Sequence, residues 1–303
     1  MNNMNKDKLI RQTLFPILAA IIWGTAFSAQ SICARYVGPL TFSATRSLVA
    51  VVVLGGGLFL WRKVRGITAP LAASRKDLIL GGLVCGTLLT VASNFQQLAL
   101  SDVSAGKAGF VTALYIVLVP VFSMFLGKRA PASVWLAVGV SAAGLYFLCI
   151  TDGFTIEPMD GALLFCAAVF AGHILAIDRF TRTVDGVALS LMQFAVVAVE
   201  SGIGMLLLEL DGGAAALAAG LSHCIWPILY VGVFSSGVAY TLQILAQKNT
   251  DPTVVSVLLS LESVFAVIAG AILLGDQMSG RELLGCGLMM VGVLLAQLPE
   301  RSQ

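Results

Sequence analysis

Long apolar segments alternate with short polar connections along the whole chain. Ten such segments span residues 14–33, 40–61, 78–100, 104–126, 132–150, 160–178, 187–208, 225–246, 251–274 and 280–298. A helix of about 20 apolar residues crosses a hydrocarbon core of about 30 Å. The pattern therefore predicts an all-α membrane protein with ten transmembrane helices, which form a single polytopic domain over residues 1–303.

The second half of this pattern repeats the first at an offset of 147 or 148 residues. Clear landmarks are Gly24, which has its counterpart in Gly172, and Gln96, which has its counterpart in Gln243. The two repeats cover residues 14–150 and 160–298. Each contains five apolar segments, and because five is odd the second repeat must cross the bilayer upside down relative to the first. Two inverted five-helix repeats are typical of secondary transporters, whose sites lie near the midplane at the repeat interface.

Composition and charge support a membrane location and predict an orientation. The chain is 58% apolar and 11% charged, against about 25% charged in soluble domains. If the N-terminus is cytoplasmic, cytoplasmic segments hold 14 of the 18 Lys and Arg residues, as the positive-inside rule requires. We therefore expect both termini in the cytoplasm of a prokaryote, in a multi-pass protein of its inner membrane. The first apolar segment lacks a small-residue cleavage site and predicts a retained helix.

Short motifs stand at corresponding places on this frame. Helix 1 carries Trp23-Gly24-Thr25-Ala26-Phe27, helix 2 carries Arg46, helix 4 carries Ala105-Gly106-Lys107-Ala108-Gly109-Phe110, and helix 9 carries Leu261-Glu262-Ser263. Together they resemble the EamA-type family of the drug/metabolite transporter superfamily, although Ser263 replaces the usual proline and Asp276 a usual glutamate. The resemblance implies transport of metabolites, amino acids or toxic organic compounds.

Glu262 is the most informative ionisable residue, because it lies at the centre of predicted helix 9. Ionisable side chains inside a bilayer are costly and mark functional sites. A carboxylate at this depth can bind and release a proton or hold a cationic substrate. A stripe of hydroxyl side chains lies at helical spacing on the opposite face, at Thr253, Ser256, Ser260 and Ser263. The stripe is either a packing seam of small residues or a cavity lining, in which case Glu262 pairs elsewhere.

The other ionisable residues inside helices have simpler interpretations. Lys107 either snorkels to the outer surface or attracts anions at the mouth of a cavity. Arg46 is expected to tie helices together. For His173 and Glu200 we expect structural hydrogen bonds.

Helix 3 carries a polar stripe that predicts contact with protein or with a water-filled cavity, because uncompensated polar groups in hydrocarbon are costly. Its members are Thr87, Thr90, Asn94, Gln97 and Ser101. The family resemblance implies a central cavity lined by helices 3, 4, 8 and 9, with helices 1 and 6. On that analogy the predicted substrate-binding residues are Trp23, Asn94, Gln97, Tyr115, Tyr240, Gln243 and Glu262, with Glu262 also the predicted proton-coupling residue.

Nothing in the sequence indicates catalysis, a metal site or a cofactor. The six cysteines stand singly, without metal-ligand spacing, and no nucleotide-binding loop is present. The leading hypothesis is a secondary active transporter of small organic metabolites or drugs, working as an exporter by alternating access and coupled to protons. The alternatives are an importer or exchanger of a nutrient such as an amino acid or nucleoside, and a non-transporting membrane scaffold. The expected partners are a small-molecule substrate and the lipid bilayer, without nucleic acid, for a monomer or homodimer.

Overall fold

Helices make up nearly all of the described structure. The computed structural model describes residues 10–66, 74–103, 105–128, 130–149, 158–210, 212–248, 250–274 and 279–297. Within these ranges no β-strand is formed. Eight helices are long and apolar enough to cross a membrane, and residues 132–148 form a shorter apolar helix. The prediction of an all-α, multi-pass membrane protein is confirmed, while ten crossings remain a prediction.

The first half of the chain contributes helices α1 to α5, one of them in two segments. After a π-helical turn at Ile10–Leu14 come α1 (Phe15–Cys33), α2 (Pro39–Arg65), α3 (Arg75–Ala99), α4a (Ala105–Ala113), α4b (Tyr115–Phe125) and α5 (Ala132–Cys149).

The second half follows the same order with one further irregularity. Its helices are α6 (Pro158–Phe180), α7 (Gly186–Leu208), α8 (Gly213–Tyr230, a π-helical stretch at Val231–Ala239, then Tyr240–Gln247), α9a (Pro252–Leu259), α9b (Glu262–Leu274) and α10 (Gly280–Ala296). Helix α8 begins at Gly213 rather than near residue 225, because its first turns are rich in alanine, the strongest helix former.

Local sequence signals account for several helix ends. Asp185 caps α7 by accepting hydrogen bonds from Val187 N and Ala188 N, both at 3.0 Å. Ser279 and Glu282 form a capping box at the start of α10. Helix α2 ends at Gly66, whose φ of 61° is a left-handed conformation that glycine adopts without strain.

Small residues bring helices of the first half against helices of the second. A Cβ added at Gly86 of α3 would meet Val196 Cβ of α7 at 2.5 Å, and one at Gly232 of α8 would meet Val49 Cβ of α2 at 2.6 Å. Helices α5 and α10 contact each other in the same way, through Gly144. Such close backbone contacts supply the van der Waals packing that holds helices together in a bilayer.

Polar contacts mark the two ends of the bundle. At one end Lys128 Nζ pairs with Asp178 Oδ2 at 2.5 Å; we call this the inner end. At the other end Glu209, which follows α7, accepts hydrogen bonds from Leu40 N at 2.9 Å and Thr41 N at 2.7 Å and so caps α2; we call this the outer end. The charge pattern predicts that the inner end faces the cytoplasm.

Candidate functional site

Helices α4 and α9 are interrupted at equivalent places in the two halves. The α4 break is at Leu114, whose counterpart at an offset of 148 is Glu262, the first residue of α9b. At both breaks the backbone tightens into i to i−3 bonds, from Leu114 N to Val111 O and from Leu261 N to Leu258 O, each at 3.3 Å. Interrupted helices that expose backbone near the midplane are a recurrent element of transporter sites.

The break in α9 corrects the expectation of one continuous helix with Glu262 opposite a hydroxyl stripe. Ser256 Oγ and Ser260 Oγ bond back to Thr253 O at 2.7 Å and Val257 O at 2.8 Å. Serine hydroxyls that bond backbone carbonyls compete with regular helix geometry and bend it. The stripe is buried and is not part of the cavity wall, which fits a packing seam.

The breaks bring Tyr115 and Glu262 together. Each opens the second segment of its helix, and Tyr115 Oη donates a hydrogen bond to Glu262 Oε1 at 3.3 Å. Glu262 lies in the first turn of α9b, where the helix dipole favours negative charge. A carboxyl group and a phenol from opposite halves therefore meet at the interface between them.

These two residues line a central cavity between the halves. Its wall comes from α1, α2, α3 and α4 of the first half and from α6, α8 and α9 of the second. The lining residues are Trp23, Phe27, Gln30, Arg46, Gln96, Thr112, Tyr115, Phe170, His173, Ile174, Ser235, Tyr240, Gln243, Leu259 and Glu262. Water can occupy about 40 Å³ of it, room for about three molecules. In this conformation the cavity is narrow, and a larger solute requires its walls to separate.

Tyr240 organises the aromatic part of the wall. Its ring centroid lies 4.7 Å from that of Trp23, in an edge-to-face arrangement, and 6.1 Å from that of His173. Tyr240 directly follows the π-helical stretch of α8. Because a π turn inserts residues into the helical repeat, it changes the direction in which later side chains point. The corresponding part of α3 is a regular α-helix, so this feature distinguishes the halves.

Arg46 lies in the cavity wall, contrary to the expectation of a helix tie. Its side chain is 3% exposed, and its Nε has no hydrogen-bond partner among the described residues. The guanidinium stands 5.4 Å from the ring centroid of Phe42, one turn earlier on α2. The site therefore contains a positive group available to a ligand.

His173 combines a structural contact with a place in the wall. Its Nε2 is 3.1 Å from Gln193 Oε1 of α7, which is the kind of contact expected from the sequence. Its Nδ1 is buried and has no partner within the described structure. That second nitrogen is free to bond a solute or a water molecule.

Five of the seven predicted site residues come together in the cavity: Trp23, Tyr115, Tyr240, Gln243 and Glu262. Asn94 and Gln97 do not line it. Asn94 Nδ2 donates to Ser201 Oγ of α7 at 3.1 Å, and Gln97 Nε2 donates to Gln30 O of α1 at 3.0 Å.

Two members of the α3 stripe bond side chains of α7. Besides Asn94, Thr87 contributes, since its Oγ1 donates to Glu200 Oε1 at 2.6 Å. This contact gives Glu200 the structural role expected for it. The side chain of Lys107, whose role the sequence left open, lies outside the described part of the structure.

The sequence pattern does not identify several cavity residues, chiefly Gln30, Gln96, Thr112 and Ser235. The repeat contained the signal for Gln96, because its counterpart Gln243 was already a candidate. No comparable signal identified Thr112, whose Oγ1 is 3.4 Å from Gln96 Nε2. Among the described residues, no group of three or more His, Cys, Asp or Glu side chains is placed to hold a metal ion.

Comparison with known proteins shows which family the chain resembles. The model of the EamA-like transporter family matches residues 11–150 and again residues 159–298. An uncharacterized transporter of Archaeoglobus fulgidus is 27% identical over 93% of this chain and 84% of its own length. The uncharacterized transporter YwfM of Bacillus subtilis is 27% identical over 96% and 95%, and the uncharacterized inner membrane transporter YedA of Escherichia coli is 23% identical over 94% and 92%.

A solved crystal structure shares the fold. It superposes with a TM-score of 0.75 at 21% sequence identity, covering 94% of this chain and 96% of that one. At this identity the likeness concerns the fold alone.

Proposed function

Because the chain belongs to the EamA-like transporter family, we propose that it is a secondary active transporter that moves a small organic solute across the cytoplasmic membrane by alternating access. The observation that carries this proposal is the buried polar cavity between the halves, built around the breaks in α4 and α9. With no nucleotide-binding loop in the sequence, the energy comes from an ion or solute gradient.

The contacts at the two ends support an inverted arrangement of the repeats. At the outer end the start of α2 meets the end of α7, and at the inner end the residues after α4 meet the end of α6. Successive helices that alternate in direction satisfy both contacts. The second repeat then runs opposite to the first.

Two equivalent glycines in different surroundings support alternating access. Gly24 of α1 packs on the first turn of α9b, where an added Cβ would meet Glu262 O at 2.6 Å. Its counterpart Gly172 of α6 is partly exposed, and an added Cβ there would meet nothing within 4 Å. By symmetry, the opposite state packs Gly172 on the first turn of α4b and frees Gly24.

Export is the direction we propose, with the solute entering from the inner end. A cleft of about 550 Å³ opens there, lined by Lys128, Asp178, Arg182 and Lys248 among others. A solute from the cytoplasm would meet this cleft before the central cavity.

Glu262 is the group we propose for proton coupling. It is 5% exposed, lies at a helix break and accepts a hydrogen bond from Tyr115. A carboxyl group in this position can hold either a proton or a solute, and exchange between the two links their movements.

The test is transport by purified protein in liposomes with an imposed pH gradient. A pH-sensitive dye in the lumen identifies, from a metabolite library, the compounds whose addition produces proton flux. We expect Glu262→Gln to abolish the dependence of solute transport on the gradient. Glu200→Gln is the matched control, since that carboxylate bonds Thr87 away from the cavity. Unchanged gradient dependence in the Glu262 variant would remove Glu262 from coupling.

A further inference from the structure

Helices α1 and α8 contact each other near the outer end of the bundle. A Cβ added at Gly220 of α8 would meet Tyr36 O, just after the end of α1, at 2.6 Å, so the two backbones lie close together there. Tyr36 also stacks on His223, with ring centroids 5.0 Å apart and an interplanar angle of 9°. Further from the outer end, the hydroxyl oxygens of Thr25 and Tyr230 are 2.5 Å apart. Later residues of α8 therefore face earlier residues of α1, and the two helices run in opposite directions.

This register brings together two cysteines that are distant in the sequence, one from each half of the chain. Cys224 lies one turn after Gly220 on the same face of α8, and Cys33 lies about one turn before Tyr36 on α1. Both belong to one buried apolar cluster, and their thiol groups interact with each other. The other buried members of the cluster are Ala26, Phe42, Ile228 and Val231.

The pair lies on the side of the membrane where disulfides are stable. Cys33 and Cys224 are fully buried free thiols, about one turn from Tyr36 and His223, which are exposed at the outer end. The charge pattern predicts that this end faces away from the cytoplasm. Compartments outside the cytoplasm are oxidising, and disulfides form and persist there.

We infer that Cys33 and Cys224 form a disulfide that links α1 to α8 at the outer end. The oxidant is an external disulfide, either oxidised glutathione or the disulfide of an oxidoreductase. One cysteine thiolate attacks it, forms a mixed disulfide and releases one thiol; the other cysteine then displaces the second thiol. The pair loses two protons and two electrons, and the external disulfide is reduced to two thiols. Fraying of the nearby end of α1 gives the oxidant access to the buried sulfurs.

The disulfide stabilises the fold without preventing alternating access by the two halves, a consequence that rests on the proposed inverted repeats. The repeat counterparts of α1 and α8 are α6 and α3, which contact each other in the same structure: a Cβ added at Gly81 of α3 would meet the Phe180 ring of α6 at 3.0 Å. By symmetry, the opposite state keeps α1 packed on α8. A disulfide between the halves also restricts the unfolded chain, which raises stability.

The experiment identifies the disulfide directly in the full-length protein in nanodiscs. Samples are equilibrated with oxidised glutathione or with dithiothreitol and quenched with acid; free thiols are then alkylated and the peptides analysed by mass spectrometry. We expect a peptide pair joined through Cys33 and Cys224 after oxidation, and its loss in dithiothreitol. Cys85 and Cys166 are equally buried but lie on other helices, and Cys166 Sγ bonds Ala92 O at 3.2 Å. Both should be alkylated under either condition.

Thermal unfolding of the same samples tests the stabilising effect. We expect the oxidised protein to unfold at a midpoint several degrees above that of the reduced protein. Cys33→Ala and Cys224→Ala should each remove this difference, because either one prevents the disulfide. Cys85→Ala is the matched control, since it replaces an equally buried cysteine of α3 and should retain the difference.

The inference is overturned if Cys33 and Cys224 are still alkylated after oxidation, or if each is joined to glutathione and not to the other. Equal unfolding midpoints for the oxidised and reduced protein would overturn the stabilising role. These measurements need no transported solute, so their failure leaves the proposed transport function standing. Absence of transport by a protein that forms the disulfide would refute the proposed function alone.

Discussion

At the scale of the residue, identical side chains have different roles because their surroundings differ. Gln96 and Gln97 are neighbours in the sequence, but Gln96 lines the cavity and Gln97 bonds the backbone of α1. Composition and periodicity predicted a polar face on α3. They did not predict that part of that face would bond α7, through Thr87 and Asn94, because this depends on which helices pack together.

The sequence marks Glu262 as a cavity residue, but it does not mark Arg46. The cost of burying a carboxylate marked Glu262 as a candidate from the sequence alone, and the structure places it in the cavity wall. Burying the Arg46 guanidinium in a bilayer is costly as well, but the position of Arg46 along α2 favours a role in holding helices together. Only the packing of α2 against α8 shows that its side chain is in the wall.

A matched pair of substitutions separates a packing amide from a cavity amide. Asn94→Ala removes the hydrogen bond to Ser201, and interhelical hydrogen bonds in membranes contribute about 0.6 kcal/mol on average. We expect a slightly lower thermal unfolding midpoint and unchanged solute affinity. Gln243→Ala, in the wall, should weaken solute binding and leave the midpoint nearly unchanged. The reverse pattern in thermal unfolding and calorimetry would contradict the placement of both residues.

At the scale of the element, irregular helices position the site. The apolar pattern predicted most helices closely, because a bilayer requires long apolar runs. It did not predict the breaks at Leu114 and Ser260-Leu261 or the π-helical stretch of α8, since no proline marks either break. The bonds that Ser256 and Ser260 make to the α9 backbone are local, and regular helices contain such bonds as well.

The two equivalent glycines give a prediction about helix packing. Gly24→Ala would bring a Cβ to 2.6 Å from Glu262 O and 2.8 Å from Ala266 N. Because these are backbone atoms, we expect destabilisation of about 1–3 kcal/mol. Gly172→Ala has open space and should be neutral or stabilising by up to about 1 kcal/mol, since alanine favours helix over glycine. Equal unfolding midpoints for the two variants in detergent would contradict the asymmetry.

At the scale of the whole molecule, duplication was predictable and its asymmetry was not. The offset of 147 or 148 residues is visible in the chain, and the family model matches it twice. That Gly24 is packed while Gly172 is open depends on the conformation. The repeat pattern is the same in every state of the transporter, so the pattern alone does not show which state the structure adopts.

The most direct test of the central claim, alternating access by two equivalent halves, measures distances at both ends of the bundle. Spin labels at residues 182 and 248 report on the inner cleft, and labels at their repeat counterparts, residues 34 and 101, report on the outer end. The measurement uses electron–electron resonance in nanodiscs, in a background without native cysteines. Gly24→Leu obstructs the packing of α1 on the first turn of α9b, and Gly172→Leu obstructs the packing of α6 on α4b proposed for the opposite state.

We predict that Gly24→Leu lengthens the distance between residues 34 and 101 at the outer end and shortens the distance between residues 182 and 248 at the inner end. Gly172→Leu should retain the inner distance of the unmodified protein. Distances that do not change at either end, or that change in the same sense at both, would contradict alternating access.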